Sequence, residues 1–370
     1  MSRAVQASVV IVGAGPAGLA TAIHLGQLGV RDVVIVDRAD FPRDKTCGSA
    51  ISPKGIVALE RLGVSEAVSE QAHAIRGLRL VTPRGHVLNM MGHTDAAMIC
   101  CRRTLDHLLL RRALELGVRF VPHFHAHWLL GRDNRIGGVR TRDGQEVQAQ
   151  FTVVADGAHS RFGLDRGPRR MIQAIMGWWD DVPVPDHRIE MVFDDLVAPF
   201  YGWLFPEGNG RVNIGICYAD PSLETNARHL FDAFLTKHYR DRLGHARQVG
   251  SLKGHPISWC DDVQRLTSPG RLVVGEAGRM THPATAEGIY QGLHSGMLAA
   301  DALHAILIGK EDEEAALTQF ETTCRRDFER SFKFAAYWLR GIKAGGLDLI
   351  AQCANLTPVQ RLLARSMAKM

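Results

Sequence analysis

Several short patterns in this chain carry residue types that chemistry needs at close quarters. The first is Gly13-x-Gly15-x-x-Gly18, entered from Val9-Val10-Ile11-Val12 and followed by Leu19, Ala20, Ala22, Ile23 and Leu25. A buried strand, a tight turn and a helix in that order make a phosphate cradle. Gly13 allows the sharp turn, Gly15 lets the backbone approach a pyrophosphate, and Gly18 lets helix pack on strand. The helix N-terminus adds free N–H groups and a partial positive charge. A second apolar run, Asp32 to Val36, ends in Asp37, 24 residues after Gly13. A carboxylate there accepts from a ribose hydroxyl. The following loop brings three cations, Arg38, Arg43 and Lys45, near the expected diphosphate, although a solvated loop carries such charges equally well.

Further patterns lie downstream. Cys47-Gly48-Ser49 closes the cationic loop, Asp156-Gly157 ends a short apolar strand, and Gly275-Glu276-Ala277-Gly278 follows another. His282-Pro283 precedes Gly288-Ile289, where a long helix starts. Tyr201, Trp203 and Phe205 alternate, so on a strand they share one face. They form either a core or the wall of an apolar pocket. His123, His125 and His127 alternate on an expected strand, where zinc binding is the minority reading.

The elements that must position these residues follow from periodicity. A helix is expected over 55–62, and strands over 75–90 broken at Pro83-Arg84-Gly85. Arg102 opens a strongly periodic helix to Leu116, stopped by Gly117. Segments at 118–121, 128–130, 137–141 and 146–148 read as an antiparallel meander, followed by a strand at 151–155. Residues 170–265 are strand-rich (171–178, 188–193, 201–205, 212–218), with one helix near 223–239. The chain then returns to the first lobe and ends in helices broken at Gly345-Gly346 and Pro358. Phe332, Phe334, Tyr337 and Trp338 sit there among Lys333, Arg340 and Lys343, and 359–369 is basic and amphipathic. These helices either pack on the body or lie on a membrane or partner.

Composition narrows the class. The chain has 370 residues, 46% hydrophobic and 22% charged, with mean hydropathy −0.07, the profile of a globular protein. A net charge of +5 suits an anionic cofactor and is not a nucleic-acid signature. No apolar run is long enough for a membrane span and the first strand leaves no room for a signal peptide, so a cytoplasmic location is expected. The seven cysteines are scattered without Cys-x-x-Cys, which points to a reducing compartment and no metal site. Nothing in the pattern sets an oligomeric state.

The order Gly13-x-Gly15-x-x-Gly18 with Asp37, then Asp156-Gly157, then Gly275-Glu276 resembles the FAD-dependent monooxygenase superfamily, the p-hydroxybenzoate-hydroxylase-like flavoproteins, over residues 8 to 300. Two finer marks resemble the geranylgeranyl reductase family. Pro42-Arg43-x-Lys45-x-Cys47-Gly48-Ser49 is similar to Pro-Arg-x-Lys-x-Cys-Gly-Gly, and Tyr201-Gly-Trp203-Leu-Phe205-Pro206 to Tyr-x-Trp-x-Phe-Pro. Ser49 replaces the second Gly, Pro199 stands one position closer to Tyr201, and Ala286 stands where Pro-x-x-Gly-x-Gly has its first Gly. Tryptophan halogenases also resemble this superfamily, but their Trp-x-Trp-x-Ile-Pro is missing.

The resemblance implies an α/β fold with a Rossmann-type FAD-binding lobe (1–75, 98–169, 266–310), a mixed-sheet substrate lobe (76–97, 170–265) and a C-terminal helical segment (311–370). One extended FAD is implied, with adenosine at Asp37, Arg102 approaching from its helix start, and Glu276 in the ribityl-binding role that most relatives give to Asp. The helix after Pro283 presents its N-terminus and Gly288 to the pyrimidine edge of the flavin. No second dinucleotide motif occurs, so NAD(P)H as donor docks transiently. A reductase would move a hydride to a C=C bond of an apolar or aromatic substrate; a monooxygenase would hydroxylate one. Cys47 is a candidate proton donor, steric gate or inert packed thiol, and His282 a second candidate for proton transfer. A flavin carrier without turnover is the alternative of another class.

Overall fold

The computed structural model describes residues 5–92, 97–164, 170–183, 187–220, 222, 224–343 and 346–353; the basic stretch 359–369 lies outside them. Its first sheet grows from the Val-rich strand β1 (Val5–Val12). β1 is buried on both faces, as a central parallel strand requires. The order is β17 (Thr267–Ser268), β18 (Arg271–Val273), β11 (Glu146–Val154), β1, β2 (Val33–Val36), β8 (Arg119–Val121). From β18 to β8 these strands are parallel. β9 (Trp128–Arg132) and β10 (Arg135–Arg140) extend β11 as an antiparallel flap.

This corrects the expected meander in two places. The segment at 118–121 is no part of it: α4 (Arg102–Glu115) carries the chain back so that β8 joins β2 in parallel, as a helical crossover demands. The segments at 146–148 and 151–155 are one strand, β11. The three histidines then fall in the loop between β8 and β9, not on a strand. No metal-binding cluster occurs among the described residues.

Helices α1 (Pro16–Gln27), α2 (Pro53–Arg61), α3 (Ser65–Ser69), α4 and α6 (Ile289–Leu307) share one buried apolar core on one face of this sheet. α1 and α6 touch at backbone distance: a Cβ on Gly296 would lie 2.3 Å from the Ala17 carbonyl oxygen. The other face packs Val10, Val34 and Val154 against Val139 and Phe124.

The second sheet runs β16 (Arg247–Trp259), β12 (Arg170–Asp180), β15 (Arg211–Tyr218), β14 (Gly202–Gly208), β13 (Arg188–Val192), β5 (Gly77–Val81), β6 (Val87–Met91). Only β13 and β5 pair in parallel. Pro256 lies on β16, an edge strand, where its missing N–H is tolerated. One face of this sheet buries α5 (Ala227–Leu243) through Phe231 and Phe234. The other bears Tyr201, Trp203 and Phe205, with Leu339, Ile342 and Leu347 of the terminal helices in the same cluster. A three-stranded sheet of β3 (Ala50–Ile51), β7 (Ala97–Ile99) and β4 (His73–Ile75) lies between. The chain closes with α7 (Glu313–Cys324), a π-turn at Arg325–Glu329, α8 (Arg330–Lys343) and α9 (Gly346–Cys353). α9 is pinned by Asp348, which accepts from the Thr82 hydroxyl and the Arg84 amide beside the β5–β6 turn.

Gly296→Ala should destabilise the protein by about 2–3 kcal/mol, because a backbone oxygen cannot give way as a side chain would. Thermal unfolding reads this directly; an unchanged midpoint would mean that α1 and α6 are not in backbone contact.

Candidate active site

The cradle sits where α1 leaves β1. Gly13 has φ +104°, and a Cβ there would lie 2.4 Å from the Ala155 carbonyl oxygen, so the turn accepts only glycine. A Cβ on Gly18 would lie 1.9 Å from the Gly13 oxygen, which is the close helix–strand approach expected of it. Gly15 is different: a Cβ there meets nothing nearer than Arg102 Nη2 at 3.8 Å. The α1 N-terminus has no side-chain cap, which leaves its first backbone donors to water or a ligand.

Carboxylates and guanidinia ring this space. Asp37 accepts from the Ala14 amide at 2.8 Å and the Ala39 amide at 2.9 Å, tying the turn to the end of β2. Arg102 is buried and forks onto Asp106, both bonds 2.7 Å. Burial alone would lower the Arg102 pKa; the Asp106 charge outweighs it and the net shift is upward. Arg43 lies over the Phe41 ring at 4.6 Å and reaches Asp106 at 3.2 Å and the Ala14 carbonyl at 3.4 Å. Arg38 is exposed, so Arg43 holds the inner position. Asp156 follows the end of β11, across the turn from Gly13.

Further in, the two sheets approach each other. Lys45 Nζ donates to His255 Nε2 on β16 at 2.9 Å. Glu276, carried by a turn in which Gly275 (φ +58°) wedges against Ala17, accepts from the Ser258 amide at 3.1 Å. The Cys47 sulfur accepts from the Ser49 amide at 3.3 Å. A Cβ on Gly48 would lie 3.0 Å from the Phe205 ring and 3.3 Å from Trp203 Nε1. Trp203 donates to Asn213 at 2.7 Å, and the Tyr201 hydroxyl donates to the Thr285 carbonyl. The aromatic stripe is therefore both a core and a wall against Gly48.

The two departures from the glycine patterns share one cause. Ser49 has φ +66° and Ala286 φ +53°. Both keep the left-handed backbone that glycine adopts freely, at a cost of about 1 kcal/mol or more each.

The helix after Pro283 starts at Ile289 with Gly288 as its cap, where the sequence pattern puts it. Residues 281–287 form a compact loop in which the His282 amide donates to the Glu287 carbonyl at 2.8 Å. His282 Nδ1 accepts from the Thr285 amide at 3.3 Å, and its ring is buried. His282 thus holds the loop that meets Tyr201.

Sequence reading passed over Asp106, His255, Ser258 and Thr285. Asp106 follows Arg102 by four residues on the expected helix, a spacing that pairs the two side chains, and could have been found from it. His255 and Ser258 sit on β16, a largely exposed edge strand with two glycines and a proline and therefore without a strand signal.

Burial, with Lys45 nearby, lowers His255 to about 4; burial, then Lys54, does the same for His282. Burial also lowers Lys45 and raises Glu276, each partly offset by the other's charge. An imidazole whose pKa falls from 6.5 to about 4 on folding contributes no penalty above pH 6.5 and destabilises increasingly as pH drops through 4. The loss reaches about 3 kcal/mol per ring. Raised carboxyls act in the opposite direction, so the comparison with His282→Asn isolates the ring: wild type should lose stability relative to the variant between pH 6.5 and 4.5 in urea titrations, and parallel profiles would refute the buried neutral imidazole. Gly15→Ala supplies a second test. The structure leaves room for its methyl, so folding should survive while FAD retention falls at least about tenfold, the methyl standing where a diphosphate must approach. A yellow, fully loaded variant would refute that placement.

An uncapped helix N-terminus, an open Gly15, a ring of guanidinia and a carboxylate at the end of β2 fit the diphosphate and ribose of FAD. A family profile described as an FAD binding domain matches residues 6–335. The chain is 32% identical over 317 residues to menaquinone reductase of Mycobacterium tuberculosis, covering 80% of this chain and 76% of that one. It is 30% identical over 343 residues to digeranylgeranylglycerophospholipid reductase 2 of Methanopyrus kandleri, covering 88% and 84%. Its fold is similar to that of a geranylgeranyl bacteriochlorophyll reductase-like protein from Thermoplasma acidophilum, with TM-score 0.85, 21% identity and coverage of 95% and 91%. The cradle, its carboxylate and these likenesses agree: the chain belongs to the FAD-binding-domain family and is an FAD-dependent oxidoreductase of the geranylgeranyl-reductase type.

Proposed function

We propose that this enzyme reduces C=C bonds in the isoprenoid part of an apolar lipid, with NAD(P)H as a transiently docked donor. The observation that carries the reading is the aromatic wall. Tyr201, Trp203 and Phe205 are buried, Trp203 and Phe205 abut Gly48 beside Cys47, and the three run into one apolar cluster with Phe193, Phe200, Leu339 and Ile342. A cavity of about 330 Å³ borders that cluster between Pro83, Phe200 and Ile342, with Asp194 and Asp195 also in its lining. The aromatic and aliphatic cluster itself suits a hydrocarbon chain. The two curated relatives named above are called reductases of menaquinone and of a digeranylgeranyl phospholipid, both isoprenoid lipids.

Bound FAD would supply the two-electron chemistry. This chain's residues do the rest. Gly13, Gly15, Gly18, Asp37, Arg43 and Arg102 hold the diphosphate and adenosine end. Lys45, Glu276 and the 281–289 loop, with Pro283, Gly288 and Ile289, border the flavin end. The stripe excludes water, and the Cys47 thiol provides a proton to the alkene carbon opposite the one that receives hydride. Burial raises the Tyr201 pKa well above its usual value, so its hydroxyl stays a donor to the loop. Cys47, Cys100, Cys101, Cys217 and Cys324 are free thiols, which suits a reducing cytoplasm.

The test is anaerobic mixing of holoenzyme with NADPH and a prenyl lipid, followed by mass spectrometry. A gain of two hydrogens per reduced double bond is the expected result; product hydroxylation coupled to dioxygen uptake would overturn the reading in favour of a monooxygenase. Cys47→Ala should lower kcat by about 10²-fold or more while leaving FAD content unchanged, and an unchanged kcat would remove Cys47 as the proton source.

A further inference from the structure

α8 has two unlike faces. Inward, Phe332, Ala335, Leu339 and Ile342 are buried, and Ile342 also borders the 330 Å³ cavity. Outward, Phe334 is 71% and Tyr337 68% exposed, the highest values for large apolar side chains among the described residues. The Arg340 guanidinium stacks on Tyr337 at 5.3 Å. Arg330 and Arg340 are exposed, as is Lys333, which pairs with Glu329 and faces Asp262 at 3.9 Å; α8 itself contains no acid.

Charge is concentrated at this end of the chain. Residues 330–370 hold seven Lys or Arg and one acid, Asp348, which is buried against Thr82. This stretch thus carries +6 of a total of +5, leaving −1 for the 329 residues before it. Exposed aromatic rings flanked by cations match the interface of an anionic bilayer: rings settle at headgroup depth and cations meet lipid phosphates. No described helix is long and apolar enough to cross a membrane, so contact would lie in the plane of the surface.

We propose that the outer face of α8 docks this enzyme on an anionic lipid bilayer through Phe334 and Tyr337. One helix then faces lipid on its outside and, at Ile342, borders the 330 Å³ cavity on its inside. The docking itself stands on the exposed rings and the charge asymmetry; only its purpose rests on the reductase reading.

Flotation of FAD-loaded protein with phosphatidylcholine vesicles, with and without phosphatidylglycerol, tests it. Wild type should bind the anionic vesicles at least about tenfold more tightly, since each cation near the surface contributes about fivefold, and high salt should weaken binding. The double variant Phe334→Ser/Tyr337→Ser should lose at least about tenfold in affinity while keeping its flavin content and melting temperature. Wild type that does not float, that binds neutral vesicles equally, or that is matched by the folded double variant overturns the proposal; so does an acidic protein competitor that captures α8 where vesicles fail. Turnover on a detergent-dispersed prenyl lipid is measured alongside: its absence with intact flotation counts against the reductase reading and leaves the docking standing.

Discussion

The rest of the structure depends on an uncapped helix end. The first amides of α1 have no side-chain partner, and backbone donors left without partners are costly unless a ligand or water takes them. Keeping them free requires glycine at three positions for three reasons. Gly13 turns against Ala155, Gly18 presses on the Gly13 carbonyl, and Gly15 leaves open space. The Asp37 carboxylate then holds the turn through Ala14. Arg102 and Arg43 gather on Asp106, which keeps two positive groups close together without mutual repulsion dominating. α6 supports α1 from behind through backbone contact at Gly296. The cradle is thus rigid before any anion arrives, and preorganisation of this kind reduces the entropic cost of binding.

A second set of contacts closes the cleft between the sheets. Lys45 reaches His255, Glu276 reaches Ser258, Tyr201 reaches the loop at Thr285, and Phe205 abuts Gly48. Each ties the first lobe or the loop before α6 to the second sheet. Burial is why Lys45 shifts down and Glu276 up, and the charge of each offsets part of the other's shift. A site built this way positions groups through several supports at once.

The terminal helices complete the enclosure. α8 and α9 add Leu339, Ile342 and Leu347 to the aromatic cluster, and Asp348 anchors them to the β5–β6 turn. An otherwise half-covered sheet face thereby becomes an apolar interior.

Local signals in the sequence determined much of this. The Val-rich run into Gly13-x-Gly15-x-x-Gly18, the acid at 37, the periodic helices α4 and α6 and the alternating Tyr201, Trp203 and Phe205 are all patterns within a few turns of chain. Their meaning is set by neighbours in sequence, by glycine's conformational freedom and by apolar periodicity. Tertiary structure alone decided the rest. β8 pairs in parallel with β2 because α4 carries it there. β16 is a strand because β12 offers an edge, despite two glycines and Pro256. Ser49 and Ala286 hold left-handed backbone that their own side chains disfavour. His282, named for its expected nearness to the flavin, also holds a loop through Thr285, a contact that its neighbours in sequence do not spell out. Long-range pairing and burial depend on the whole chain's free energy, and no short window of sequence contains that.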